Sequence, residues 1–445
     1  MKGSDLIDHG VYFCYNLLLL VFFPFGMVFF SWRYLVQVSY RRGAIERFGF
    51  LPQGIGKRET GQRLLWFHAV SVGEVLASVP LIREIKQRYP RDRLILSTVT
   101  VTGREVARQK LPEADALIFC PFDLPWITQR VVKQLEPSLF IFVETELWPN
   151  LLRSLRQGGV PSLMVNGRIS PRSFRQYRWV RWFFRRVLRQ INGFSVQTER
   201  DRRFLLELGA DPRTVECTGN MKYDQECKEI GEGELNALRG ELGVGKEDLV
   251  VVVGSTHEGE EERLLTSFDA MCKLWGPFLM IIAPRHLERL PSIEKLLDQN
   301  RIPFYRKSQL VVLRRQGEKG LDPGSVILLD TLGELVYYYS LATVVFVGGS
   351  LVPVGGHNIL EPAAYGKVSF FGPHMENFAE VSRLMKARGG GIEVADVEEL
   401  VSVVGRLLKD PEEIERRGRE ALQVVMENRG AVARNMILID RFMQG

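Results

Sequence analysis

The chain has 445 residues, beyond the roughly 250–300 at which single cores stop growing, so at least two domains are expected. Its net charge of only +6 weighs against nucleic acid as a partner. The five cysteines, Cys14, Cys120, Cys217, Cys227 and Cys272, contain no CxxC pair, so the sequence offers neither a zinc site nor a disulfide framework, and a reducing compartment is the simplest reading.

Residues 11–30, VYFCYNLLLLVFFPFGMVFF, carry no charge and match the ~20 residues that a spanning helix needs. Arg33, Arg41, Arg42 and Arg47 follow closely, so the positive-inside rule leaves everything after an anchor at 1–40 in the cytoplasm. A cleaved signal peptide would carry its basic residues before the apolar run, which this segment does not. A buried core helix and a hairpin-like insertion bent at Pro24 are the alternatives.

From Leu64 onward short apolar runs alternate with helix-period segments, the pattern of βα units around a parallel sheet. LLWFHAV, LILSTV, ALIFC, SLFIFVE, PSLMVN and GFSVQT read as buried strands, with helices starting near Val75, Gly103, Trp126, Pro149, Arg172 and Glu199. After a link over 220–246 the pattern restarts with LVVVVGS, FLMIIAP, VILLD, TVVFVGG, KVSFFG and GIEV. An α/β protein of two doubly wound domains is expected, 41–225 and 226–445, with its cleft lined by strand carboxyl ends. A long charged helix over 411–428 precedes a last apolar stretch that can return to the first domain. Neither G-x-G-x-x-G nor GxxxxGK[ST] occurs, which weakens dinucleotide and NTPase readings.

Chemistry gathers at strand ends. WFHAVSVGE presents Glu74 at a helix N-terminus, as a candidate base or as an acid that serves only the helix dipole. In VETELWPN, Glu144 and Glu146 share one face if the strand continues, where they meet carbohydrate, cap a helix or pair with arginines. Residues 168–190 hold eight arginines, many aromatics and no acid. Read as one helix, they put Arg175, Arg178, Arg181, Arg185 and Arg189 on a broad face, with Val180, Phe183, Phe184 and Val187 opposite and Trp179 and Trp182 on the basic side. Such a helix suits an anionic lipid surface; a solvated helix packed on its own domain is the alternative.

In the second half, GSTHEGEE brings Ser255 and an acidic first turn to a strand end, and APRH brings Arg285 with a fork suited to phosphate. DTLGEL offers Leu332, Gly333 and Glu334 to a base or ribose. VVFVGGSLVPVGGHNILEP joins paired glycines to a helix start, an arrangement that aims backbone N–H groups at a phosphate. Asn358 opens that helix and Glu361 lies one turn in, where phosphate would repel it and a ribose diol would suit it.

The ordered set HAVSVGE, FVETELWPN, NGRIS, GNMKYD, GSTHEGEE, APRH, DTLGEL and GGHNILEPAAYGK, spanning essentially the whole chain, resembles 3-deoxy-D-manno-octulosonic acid (Kdo) transferase, which glycosylates lipid A in lipopolysaccharide synthesis. The resemblance implies a GT-B fold at the bacterial inner membrane, CMP-Kdo as donor, lipid IVA as acceptor and an inverting mechanism. It puts the catalytic base on Glu74 and donor contacts on Pro284, Arg285, Leu332 to Glu334 and Asn358, Ile359, Leu360 and Glu361. Ser255 and Lys222 complete the expected donor set, Lys222 as a further positive charge for the phosphate. Glu144, Glu146, Arg168, Arg178, Arg181 and Arg185 are the acceptor or membrane candidates. No D-x-D motif occurs, so neither metal nor cofactor is expected. The stretch 309–322 reads as a loop without a role.

Overall fold

The computed structural model describes residues 10–24, 43–225, 229–310 and 324–444. The chain divides into two compact units, residues 1–225 with 428–445, and residues 226–427. Each is built on a parallel sheet of seven strands.

The first sheet has the order β3-β2-β1-β4-β5-β6-β7. Its strands are β1 (Leu64–His68), β2 (Arg93–Thr98), β3 (Ala116–Phe119), β4 (Leu139–Val143), β5 (Ser162–Gly167), β6 (Gly193–Val196) and β7 (Val215–Cys217). Because side chains alternate across a strand, Leu64, Trp66, Phe140 and Phe142 feed one core, while Leu65, Phe67, Ile141 and Val143 feed the other. Both faces are therefore buried, which is why these strands read as unbroken apolar runs. The last helix, Ala431–Met443, seals the second of those faces with Met436, Leu438 and Ile439. Asp224 caps it, its carboxylate accepting the N–H groups of Gly430 at 2.6 Å and Val432 at 2.5 Å. The aspartate of GNMKYD thus has a structural task.

The second sheet runs β10-β11-β9-β8-β12-β13-β14. Its strands are β8 (Val250–Thr256), β9 (Leu279–Pro284), β10 (Phe304–Arg306), β11 (Val326–Leu328), β12 (Val344–Val347), β13 (Ser369–Phe371) and β14 (Gly391–Glu393). Two strands escape the sequence reading, β7 and β10; each is three residues long at a sheet edge and carries no continuous apolar run. The expected link at 220–246 also contains structure: a 3-10 turn Met221–Asp224 and a helix Glu232–Leu242. Most of the loop expected at 309–322 lies outside the described residues.

Residues 10–24 form a helix packed against the first unit. Tyr12 is buried under the Arg153 guanidinium, the Tyr15 hydroxyl donates to Asp123 at 2.9 Å, and Phe23 meets Phe122 edge to face. Phe13, Leu17, Leu18, Leu20, Val21 and Phe22 stay exposed. Among the described residues no helix is long and apolar enough to cross a membrane. The remainder of the expected span, 25–30, and the arginines at 33, 41 and 42 lie outside the described residues.

The Arg-rich stretch is not one helix. It breaks at Val180, whose backbone leaves the helical region (φ −113°, ψ 32°), into Pro171–Trp179 and Arg181–Leu188. A single helical wheel does not hold across that break, and Val180, expected on the packed side, is exposed. Phe174, Val187 and Leu188 anchor the two pieces, while Trp179 is 88% exposed and Trp182 and the arginines at 175, 178, 181, 185 and 189 face solvent. Tyr15 packs on Phe183 with ring centroids 5.4 Å apart, so this corner and the first helix adjoin.

Candidate functional site

The two sheets reverse strand order between β1 and β4 and between β8 and β12, and crevices for ligands in doubly wound folds open at the carboxyl ends of such strands. Each reversal carries one of the two chemistries expected above.

In the first unit, the chain leaves β1 and Ser71 N-caps the helix Val72–Arg88. Glu74, only 8% exposed, turns back over the cap: Val70 N–H donates to one carboxylate oxygen at 2.9 Å and the Ser71 hydroxyl to the other at 2.9 Å. This is a variant of the capping box, legible in the S-x-x-E spacing. A carboxylate has about four acceptor positions, so two remain for an incoming hydroxyl. Burial pushes the Glu74 carboxyl up to about 7 against those two hydrogen bonds, and the charges of Glu144 and Glu146 add to the rise. Near-neutral affinity for a proton is what a base acting on a sugar hydroxyl requires.

Glu144 and Glu146 follow β4, which pairs with β1. The strand does not continue through them, so the condition for a shared face is not met: β4 ends at Val143 and Glu144 takes a left-handed backbone (φ 57°), its N–H held by the Val165 carbonyl at 3.0 Å. Alternation therefore does not set their placement; the turn does, and it leaves both close enough to raise Glu74. Glu146 is itself pushed up to about 6 by burial and then by Glu144. Arg168 is half-buried, and its carbonyl accepts the Thr145 hydroxyl. Lys222, expected among the donor contacts, belongs to the first unit, whereas the rest of that set belongs to the second.

In the second unit, Gly348, first of the paired glycines after β12, gives its N–H to the Gly254 carbonyl at 2.8 Å, and Gly349 presents its own to an anion that is not a ligand. Glu260, fully buried at the start of the helix Glu260–Thr266, accepts N–H groups from His257 at 3.0 Å, Gly349 at 2.7 Å, Ser350 at 3.0 Å and Leu351 at 2.9 Å. Four backbone donors satisfy this buried charge and lock the loop after β8 to the loop after β12. Gly348 is required for this approach, because a Cβ there would stand 2.6 Å from the Ser255 carbonyl and 2.9 Å from Glu260 Oε2. The phosphate cradle expected at this glycine pair is thus filled by the chain itself.

Ser255 lies in the left-handed region (φ 58°) at a register shift where Thr256 pairs with Pro284. Arg285 follows Pro284 with its N–H on the Thr256 carbonyl at 3.0 Å and its side chain exposed. After β11, Leu332 is 78% exposed and Gly333 is left-handed, while Glu334 meets Lys307 at 3.3 Å. Leu360–Ala364 forms a short helix whose Leu360 N–H is held by Asn358 Oδ1 at 3.1 Å, and Asn358 Nδ2 donates to Glu361 at 3.1 Å. Ile359 and Leu360 bury their side chains, so only their backbone can meet a ligand. The strand order aligns these segments, 332–334, 284–285, 255–257 and 348–361, along successive carboxyl ends of β11, β9, β8 and β12.

Three of the six histidines also converge here. His257 and His357 lie with Nε2 atoms 2.8 Å apart and rings nearly parallel, and His286 meets His257 edge to face at 5.7 Å. The sequence places His286 in this crevice beside Arg285, at the end of β9, but His257 and His357 escape notice; the available signal for them is a histidine just beyond β8 and another in the loop after β12.

Comparison with known proteins agrees with this geometry. A family model described as 3-deoxy-D-manno-octulosonic-acid transferase (kdotransferase) matches residues 42–225. The 3-deoxy-D-manno-octulosonic acid transferase of Haemophilus influenzae is 33% identical over 441 residues, 97% of this chain and 99% of that protein. A bifunctional glycosyltransferase/methyltransferase of Fusobacterium nucleatum is 32% identical over 84% of this chain and 57% of its own length. Among solved structures, a glycosyltransferase from Rickettsia africae matches with TM-score 0.53 at 11% identity, covering 86% of this chain and all of the other. Anabaena HepE in complex with UDP matches with TM-score 0.52 at 12% identity, over the same share of this chain and all of its own. At such identities the solved structures speak to fold alone, and with two parallel seven-stranded sheets that fold is GT-B. With a relative one-third identical over almost its entire length, the chain belongs to the Kdo transferase family and is a glycosyltransferase.

Proposed function

We propose that the chain transfers Kdo from CMP-Kdo to lipid IVA, the lipid A precursor, in lipopolysaccharide synthesis, with Glu74 as the general base. The observation that carries this reading is a buried carboxyl with a pKa near 7 at the switch point of the first sheet, in a chain of this family. The first unit receives the acceptor: Glu74 takes the proton of a sugar hydroxyl as its oxygen bonds to the anomeric carbon, inverting it through a transition state of oxocarbenium character. Glu144 and Glu146 tune that base and line the acceptor side. The second unit holds the donor: Arg285 meets the phosphate, Glu361, braced by Asn358, accepts from the ribose hydroxyls, and the backbone at 332–334 meets the base.

The acceptor is a lipid, and the first unit has a surface to meet its membrane. The helix 10–24, which exposes an apolar face, meets through Tyr15 and Phe183 the corner that carries exposed Trp179, Val180 and Trp182 and the arginines around them, a combination of apolar and basic groups suited to an anionic bilayer at the inner-membrane surface. Arg178, Arg181 and Arg185 are its charge contacts. Lys222 and Arg168 have no role in this scheme.

Mass spectrometry of products formed from lipid IVA and CMP-Kdo by the purified chain tests the reading. Mass increments of whole Kdo residues are expected; transfer only from UDP-sugars offered in parallel would assign a different donor.

A further inference from the structure

Resting on the donor reading above, we propose that His257 and His357 form a one-proton clasp for the donor phosphate, taking up a single proton as the phosphate binds. The geometry sets the count. Two Nε2 atoms 2.8 Å apart accommodate one proton between them, since two would oppose N–H to N–H and none would oppose lone pairs. When both rings are neutral, one ring is therefore protonated at Nε2 and the other at Nδ1. Adding one proton leaves the inner bond intact and makes both outer Nδ1 atoms donors, converting a neutral pair into a cation with two outward N–H groups. Among the described residues neither Nδ1 has a protein partner. A second proton would break the contact, so the pair accepts one and no more.

The surroundings keep the empty clasp neutral and make it responsive to an anion. Burial, then Arg285, His257 and His286 hold the His357 imidazole down to about 4. Burial, His286, Arg285 and Arg289 depress His257, opposed by Glu261. Glu261 is bound by Arg289 at 3.3 Å, and Glu258 meets the same guanidinium at 3.2 Å, so those carboxylates are already occupied. The rings lie over Gly349, where a Cβ would stand 2.9 Å from His357 Cδ2 and 3.3 Å from His257 Cδ2; the Glu260 clamp that orders Gly349 thereby positions the clasp.

Chemistry gives the proton a use. A CMP-sugar carries one negative charge on its phosphodiester. When the bond from the anomeric carbon to the phosphate oxygen breaks, the electron pair leaves with CMP, whose phosphate becomes a monoester dianion. The clasp proton hydrogen-bonds that oxygen as its charge grows, while the acceptor hydroxyl loses its own proton to Glu74 and forms the new bond to carbon. After release, Glu74 returns its proton to solvent.

Calorimetric titration in buffers of different ionisation enthalpy measures the proton directly. The probes are CMP and cytidine 5′-methyl phosphate, a diester whose phosphate does not titrate near pH 6 as a monoester does. Wild-type chain is expected to take up most of one proton per diester at pH 7 and none at pH 9, through linkage between binding and protonation. His357→Gln, which keeps a polar side chain but cannot titrate, is expected to lose the uptake and to bind about tenfold more weakly at pH 6.5, with wild-type affinity at pH 9. Wild-type binding of both probes without proton uptake overturns the clasp and leaves the donor site standing. Failure of CMP to bind the wild-type chain overturns both.

Discussion

The carboxylate of Glu260 accepts the N–H of Gly349 at 2.7 Å, across 89 residues of sequence, and through it the loops after β8 and β12 become one rigid element. Glu260→Gln replaces one acceptor oxygen with an N–H₂ that faces backbone donors. A loss of about 2–4 kcal/mol is expected, as for leaving buried donors unsatisfied beside a removed charge. Urea unfolding reads it; an unchanged midpoint and slope would mean that the loops hold themselves without the carboxylate.

Glu74→Gln keeps the shape of the side chain and removes its basicity. Turnover should fall by ~10²-fold or more while CMP affinity stays at the wild-type value, because the donor contacts proposed above, Arg285, Glu361 and 332–334, belong to the other unit. Near wild-type turnover in this variant would falsify the base assignment.

The raised Glu74 carboxyl makes two pH predictions. Activity should rise with pH through an apparent pKa near 7, and Glu144→Gln should move that limb to lower pH by removing a neighbouring charge. For stability the sign runs the other way. The native group holds its proton from its ordinary 4.5 up to about 7, so its contribution is present at low pH and is lost as pH rises through 7. At about 1.4 kcal/mol per pKa unit, Glu74→Gln should gain up to ~3 kcal/mol on wild type between pH 4 and pH 9, less whatever residual solvent access screens. Parallel pH dependence of the two melting temperatures would show that Glu74 titrates normally.

Arg285→Ala and Glu361→Ala should weaken CMP by separate routes, phosphate charge and ribose hydrogen bonding, each by about 1.5–3 kcal/mol. Asn358→Ala, which removes the 3.1 Å brace on Glu361, should reproduce part of the Glu361 loss. Unchanged affinity in all three variants places the nucleotide elsewhere.

Changing Arg178, Arg181 and Arg185 to Glu should reduce sedimentation with anionic vesicles, each arginine adding roughly 1 kcal/mol near such a surface. Trp179→Ser with Trp182→Ser should weaken binding further and independently of salt. Transfer to a short soluble acceptor should be unaffected in both. If the charge-reversed chain sediments as its parent does, the arginines are only a solvated face.

Strand identity and fold class were legible because both are written locally. LLWFH and LFIFV lie buried on both sides, so each reads as an unbroken apolar run, and Pro149 and Glu199 begin their helices where sequence reading put them. The positions bearing Glu74, Arg285 and Glu361 follow from the same logic, a strand ending and a helix beginning. What sequence could not decide was what each of these loops meets. Val180 breaks a stretch whose composition reads as one helix, and β7 and β10 are too short for any periodicity to register. The amides of Gly349, Ser350 and Leu351 face an internal carboxylate rather than a phosphate, and His257 finds His357 a hundred positions away. Such partners are set by strand order, which brings β8 beside β12 and β1 beside β4; a hydrogen bond depends on atoms a few ångströms apart, and that distance exists only once the sheets have formed.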